Sequence, residues 1–213
     1  MASIRQVVPI VLSIQITVAV GLTGWISFHS SERAVQKLTR QLCDNLNFRV
    51  EQQITSYLEE SVRINQATTI ALSNGSINPN DISQVQKDIF NISRELNIHN
   101  ILFYGNESGT MVGIEPYGKS NFLLRIREDS NSPNRPTYEL SNNGVRGRLV
   151  MNEVYDHRTR PWYIAAKQSG KAIWSSIFVS TTDGELTTTK ATPIYTSTGD
   201  FQGVVGINIT LKQ

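Results

Sequence analysis

Cysteine is almost missing from this chain: among 213 residues there is one, Cys43. A single thiol excludes an internal disulfide framework and any zinc site built on several thiolates. Histidine is nearly as scarce. His29, His99 and His157 lie far apart, and no His-Glu-x-x-His or carboxylate-plus-histidine spacing occurs. No cofactor is expected. There is no glycine-rich phosphate loop, and no nucleophile motif completes Asp156 and His157 into a hydrolytic set. The chain is therefore not expected to be an enzyme. Twenty Lys plus Arg against 18 Asp plus Glu leave a net charge of +2, without the basic excess of a nucleic-acid binder.

Charge is also missing locally. No Asp, Glu, Lys or Arg stands between Arg5 and Glu32. A helix needs about 20 mostly apolar residues to cross a bilayer, and this stretch is long enough. Trp25 lies near one end, where aromatic rings favour the interface. The reading is a cytoplasmic N-terminus at 1–5, a transmembrane helix at 6–29 and an extracytoplasmic remainder, single-pass in the inner (plasma) membrane. A cleaved signal peptide competes, although its apolar core would be shorter and no small-x-small site follows. A buried core helix is the other rival.

Glycine and proline are absent from 31–72. Over this run Val35, Leu38, Leu42, Leu46, Val50, Ile54, Leu58 and Val62 recur at three- and four-residue steps, the helical period. At ~1.5 Å per residue the helix is about 60 Å long. Such a helix must pack on something, either its own domain or a second copy along a dimer seam. Gly75 supplies a left-handed stop. A second helix follows to about Leu96, with the apolar stripe Ile82, Val85, Ile89, Ile92 and Leu96, so 30–98 is expected to hold the stalk helix and this second helix.

From residue 99 the pattern is that of a sheet. Residues 101–104 and 110–114 flank a turn at 105–109, and 122–126 is a further strand. Residues 128–137, with two prolines, are a polar loop, and 149–154 is a short apolar segment. Three antiparallel strands close the chain at 172–180, 186–195 and 203–211, with turns at Asp183-Gly184 and 197–200. Alternation divides the last strand. Val205, Ile207, Ile209 and Leu211 form an aliphatic face that suits the long helices. Val204, Gly206, Asn208 and Thr210 form a smaller face, either a cavity floor or simply solvated.

The densest chemistry is Tyr155-Asp156-His157-Arg158-Thr159-Arg160-Pro161-Trp162-Tyr163. Pro161 suits the first turn of a short helix that Gly170 ends. Arg160 then stands where free N–H groups and the positive end of the helix dipole gather, which favours an anion. A guanidinium can grip a carboxylate through two parallel bonds. The competing reading pairs Arg160 with Asp156 and buries the aromatic rings as core.

Spanning helix, stalk helix, second helix, sheet, Arg160-Pro161-Trp162-Tyr163, Trp174-Ser175 and finally Phe201-Gln202-Gly203-Val204-Val205-Gly206-Ile207-Asn208 occur in an order that resembles the double Cache sensor domains of bacterial transmembrane receptors. These are PAS-like extracytoplasmic modules of chemoreceptors, histidine kinases and nucleotide cyclases. The resemblance implies an α+β fold: a transmembrane helix, a long stalk helix and, over 99–213, the PAS-like antiparallel sheet of the distal lobe. In amino-acid-binding members a Tyr, an Arg five residues on, and the Trp and aromatic after it clamp the ligand. Tyr155, Arg160, Trp162 and Tyr163 match, which implies Arg160 and Trp162 on a carboxylate and Tyr155 near an amine. The family has an acid for the ammonium where this sequence has Asn208, so the carboxylate half is kept and the amine half weakened.

The expected function is a sensor module that binds a small anionic or zwitterionic ligand. Ligand binding would shift the stalk helix, through which a homodimer is expected, and pass the signal to an output domain outside this chain. A pilin-like subunit and a membrane-anchored enzyme are the alternatives. A pilin would carry an acid just inside its apolar segment, and this segment has Pro9 and Gln15 instead.

Overall fold

The computed structural model describes residues 4–118, 121–182 and 184–210, with no side-chain description for 4–11, 26 and 29–35. The chain forms two compact units, Met1–Ser56 and Tyr57–Gln213. The first is helical, part of α1 (Ile4–Ser73). Its described apolar side chains are exposed, among them Leu12, Ile16, Val20 and Trp25, and farther along Leu38, Leu42, Leu46 and Ile54. Among the described residues no helix is long and apolar enough to cross a membrane. The expected span at 6–29 lies partly outside the side chains described.

The second unit starts within the last turns of α1. Gly75, at φ +80°, stands just beyond them in the left-handed region. α2 (Ile82–Glu95) is N-capped by Asp81, whose carboxylate accepts from the Ser83 and Gln84 N–H groups. The strands are β1 (Leu102–Asn106), β2 (Met111–Tyr117), β3 (Asn121–Arg127), β4 (Asn134–Leu140), β5 (Arg146–Val154), β6 (Ile173–Trp174), β7 (Phe178–Val179), β8 (Leu186–Tyr195) and β9 (Phe201–Thr210). α3 (Pro161–Ser169) lies between β5 and β6. The strands form one antiparallel sheet in the order β5-β4-β3-β2-β1-β9-β8-β6, with β7 also on β8.

Two expectations change. The polar loop at 128–137 is in part β4, despite Pro136. That residue pairs with Asn152 of β5, one position past the last β3 partner, Thr137. A missing N–H is tolerated where a ladder has ended. The single strand at 172–180 is two short ones, β6 and β7, each on β8. Asp183 and Leu211 lie outside the described residues.

Alternation along β9 has the expected consequence. Val205 and Ile207 join Ile64 and Leu72 of α1 and Val85, Ile89 and Phe90 of α2 in one core. Buried Asn65 ties α1 to this face. Its Nδ2 donates to the carbonyls of Lys190 and Val205, each at 3.2 Å, and its Oδ1 accepts from the Thr192 hydroxyl. The opposite face carries a second core of Phe103, Met111, Trp162, Tyr163, Ala166, Ala191 and Val204.

Gly206 makes the second core possible. A Cβ there would stand 2.1 Å from Cε2 of Phe103, so the Phe103 ring lies directly over the glycine. Gly206→Ala is expected to cost about 1–3 kcal/mol by overpacking. Thermal unfolding checks this, with Tm falling by roughly 2–4 °C per kcal/mol.

Candidate functional site

The segment before α3 turns on Asp156, which caps the 3-10 turn His157–Thr159. Its Oδ1 accepts from the Arg158 N–H at 2.9 Å and Nε at 3.0 Å, and its Oδ2 from Arg158 Nη2 at 2.7 Å. Arg127 Nη1 stands 3.3 Å from Oδ2. Arg158 chiefly, with Arg127, holds the Asp156 carboxyl well below the usual range. The rival pairing of Arg160 with Asp156 is therefore not made. Among the described residues Arg160 has no ion pair and no side-chain hydrogen bond. Its guanidinium lies 5.7 Å from the centre of the Tyr155 ring, and its extended backbone leads into Pro161 at the first turn of α3.

Arg160, Tyr155 and Trp162 line a cavity of about 450 Å³. Ile101, just before β1, Phe103 of β1, Glu115 of β2, Arg125 of β3, Arg135 of β4 and Asn208 and Thr210 of β9 line it too. Phe103 positions Trp162, ring centres 4.8 Å apart. Arg135 lies 3.6 Å from the Tyr155 ring centre, so two cations share one ring. Arg135 is an ion pair with Glu153, its cross-strand partner, and Arg125 with Glu115. Three guanidiniums thus meet two carboxylates, and the unmatched charge is that of Arg160. Among the described residues no cluster of His, Cys, Asp and Glu could hold a metal ion.

Four of the five residues singled out in the sequence, Tyr155, Arg160, Trp162 and Asn208, line this one cavity. Tyr163 does not. Its hydroxyl donates to Glu107 at 2.9 Å, and its ring meets His157 and Phe201 edge-on. Successive helix residues diverge by about 100°; here Trp162 takes the cavity side and Tyr163 the Glu107 side. Asn208 accepts at Oδ1 from the Thr189 hydroxyl at 2.8 Å. Glu115, Arg125 and Arg135 escaped sequence reading, since each is a lone charge on a strand that only the register brings to the site.

His157 is fully buried. Its Nε2 is 2.8 Å from the Asn106 carbonyl, and its Nδ1 has no partner. Burial holds its pKa down to about 4, against about 6.5 unfolded. The neutral ring is the folded form, so stability is full above about pH 6.5. It falls as pH drops toward 4, by about 3 kcal/mol in all. Denaturant melts across that window are expected to show this slope, and His157→Gln to flatten it.

Residues 108–213 match the family model described as methyl-accepting chemotaxis protein-like, first PDC sensor domain. Over these residues the chain is similar to the Cache (PDC) sensor domains. The ligand-binding domain of Mlp24, solved with asparagine, shares the fold at a TM-score of 0.51 and 22% identity, over 76% of this chain and 53% of that one. The ligand-binding domain of Campylobacter jejuni chemoreceptor Tlp3 with 4-methylisoleucine has a TM-score of 0.46 and 19% identity over 73% and 53%. That of the Pseudomonas aeruginosa PAO1 amino acid chemoreceptor PctC with GABA has 0.45 and 21% over 74% and 58%. The chain spans little more than half the length of these domains. No curated protein matches it.

Proposed function

We propose that this chain is the sensing part of a membrane-anchored receptor, and that its cavity binds a small carboxylate ligand through Arg160. The observation that carries the reading is the charge balance: Arg160 is the one cavity guanidinium without an anionic partner among the described residues. A carboxylate would complete it with two parallel bonds. Trp162 and Tyr155 add an indole N–H and a phenol at the same wall. The relatives solved with asparagine, 4-methylisoleucine and GABA support a ligand of this size.

The ligand signal passes to α1 through β9. Asn208 faces the cavity from β9, and Asn65 of α1 is bonded to the Val205 carbonyl of the same strand. The apolar stripe Leu38, Leu42, Leu46 and Ile54 is exposed in a single chain, which suits a parallel seam with a second copy. The charge-free run before Glu32 anchors the receptor in the plasma membrane, with the sheet on the extracytoplasmic side and an output domain across the bilayer.

Calorimetry on the full chain in detergent tests the site. Arg160→Ala is expected to lose a charge-assisted contact worth about 1.5–3 kcal/mol, or roughly tenfold or more in affinity for carboxylates. Unchanged affinity in a folded variant excludes the assignment. Cys43, exposed on α1, reports topology: an impermeant thiol reagent should label it in intact cells. Labelling only after lysis would place this segment in the cytoplasm.

A further inference from the structure

The cavity has a second charged end that a plain carboxylate would leave idle. Arg125 directs both Nε and Nη2 to one oxygen of Glu115, Oε2, with Nε at 2.6 Å. The Arg125 side chain is only 9% exposed, so the carboxylate is held from behind by a fixed cation. The other oxygen, Oε1, accepts no hydrogen bond among the described residues, and the Glu115 side chain keeps 29% exposure at the cavity wall. An ionised carboxylate has about four acceptor sites, so Oε1 has its capacity intact. Glu153 differs. Its Oε1 already meets Arg135, Arg125 and the Thr182 hydroxyl, and it is not a lining residue.

The register explains why Glu115 shares a floor with Asn208. Leu102 pairs with Ile114 on β2 and with Ile207 on β9. The next position outward on each strand brings Glu115, Ile101 and Asn208 into one row, and the Asn208 N–H donates to the Ile101 carbonyl at 3.1 Å. The two side chains flank Ile101 from strands two spacings apart, about 10 Å. Their polarities are opposite. Thr189 is fully buried, and the only acceptor its hydroxyl meets among the described residues is Asn208 Oδ1. That fixes the amide with Nδ2 toward the cavity, as a donor. A donor cannot hold a positively charged nitrogen; the free oxygen of Glu115 can.

We propose that Glu115 is the specificity-determining residue of this cavity. Its Oε1 accepts the ammonium or guanidinium group of a ligand whose carboxylate lies on Arg160, while Asn208 donates to a ligand oxygen. The assignment rests on the carboxylate reading of Arg160 and adds the positive end. The acid is thereby supplied from β2, where the β9 position carries an amide.

The test is calorimetry on the full chain in detergent with α- and ω-amino acids, each beside its des-amino acid, such as alanine with propionate and 4-aminobutyrate with butyrate. Wild type is expected to prefer the amino member of at least one pair by about tenfold or more. Glu115→Gln should abolish the preference by weakening the amino member of each pair, whatever the freed Arg125 charge does to the des-amino member. The double variant Glu115→Gln, Asn208→Asp returns an acid to the same row and the original charge count. It should regain the preference. Binding of carboxylates without discrimination within pairs overturns this proposal alone. So does discrimination that survives Glu115→Gln, or its absence in a folded double variant. Failure to bind any member of any pair overturns the carboxylate reading as well.

Discussion

The placement of the site depends on one close approach, the ring of Phe103 over Gly206. With no side chain on β9 at that point, the ring edge comes within 2.1 Å of where a Cβ would be. Trp162 then packs on Phe103 at 4.8 Å, and Trp162 is the second residue of α3. The residue two before it, Arg160, inherits its position from that contact. Glycine here does not enlarge the cavity. It admits the ring that anchors the cavity's cationic wall.

Charges at the site sort by how they are held. Asp156 is consumed by Arg158 and Arg127, and Glu153 by Arg135 and Arg125. These pairs orient the walls, and truncating one partner would leave a buried charge uncompensated. Arg160 is kept out of every such pair. A solvated cation beside an aromatic ring is inexpensive in the empty state, and it gains most when a desolvated anion arrives. The β9 strand is shared between this site, through Asn208, and α1, through the bond of Asn65 to the Val205 carbonyl.

Much of this was legible in the sequence. Pro161 and Gly170 bracket α3, Gly75 stands just past α1, and the alternation of β9 separated the core side from the cavity side. These signals are local, set by backbone preference and a period of two. Tyr163 falls outside the cavity lining, since adjacency in a motif is not adjacency on a helix. β4 was hidden because Pro136 reads as a breaker, while the ladder tolerates it at the end of the β3 pairing. With β4 taken as loop, Arg135 had no face to occupy. Arg125 lay on an expected strand and Glu115 one residue past another, but a lone charge there carries no label. Only the β1–β2–β3 register turns them into an ion pair at the cavity wall.

The central claim is that Arg160 is reserved for a ligand anion. A crystal structure of the chain soaked with a bound carboxylate tests it most directly. The account predicts carboxylate oxygens at about 2.7–2.9 Å from the Arg160 guanidinium nitrogens, with Trp162 and Tyr155 against the ligand. A ligand lodged in the cavity with Arg160 turned away from it, or paired with Asp156, would contradict the account.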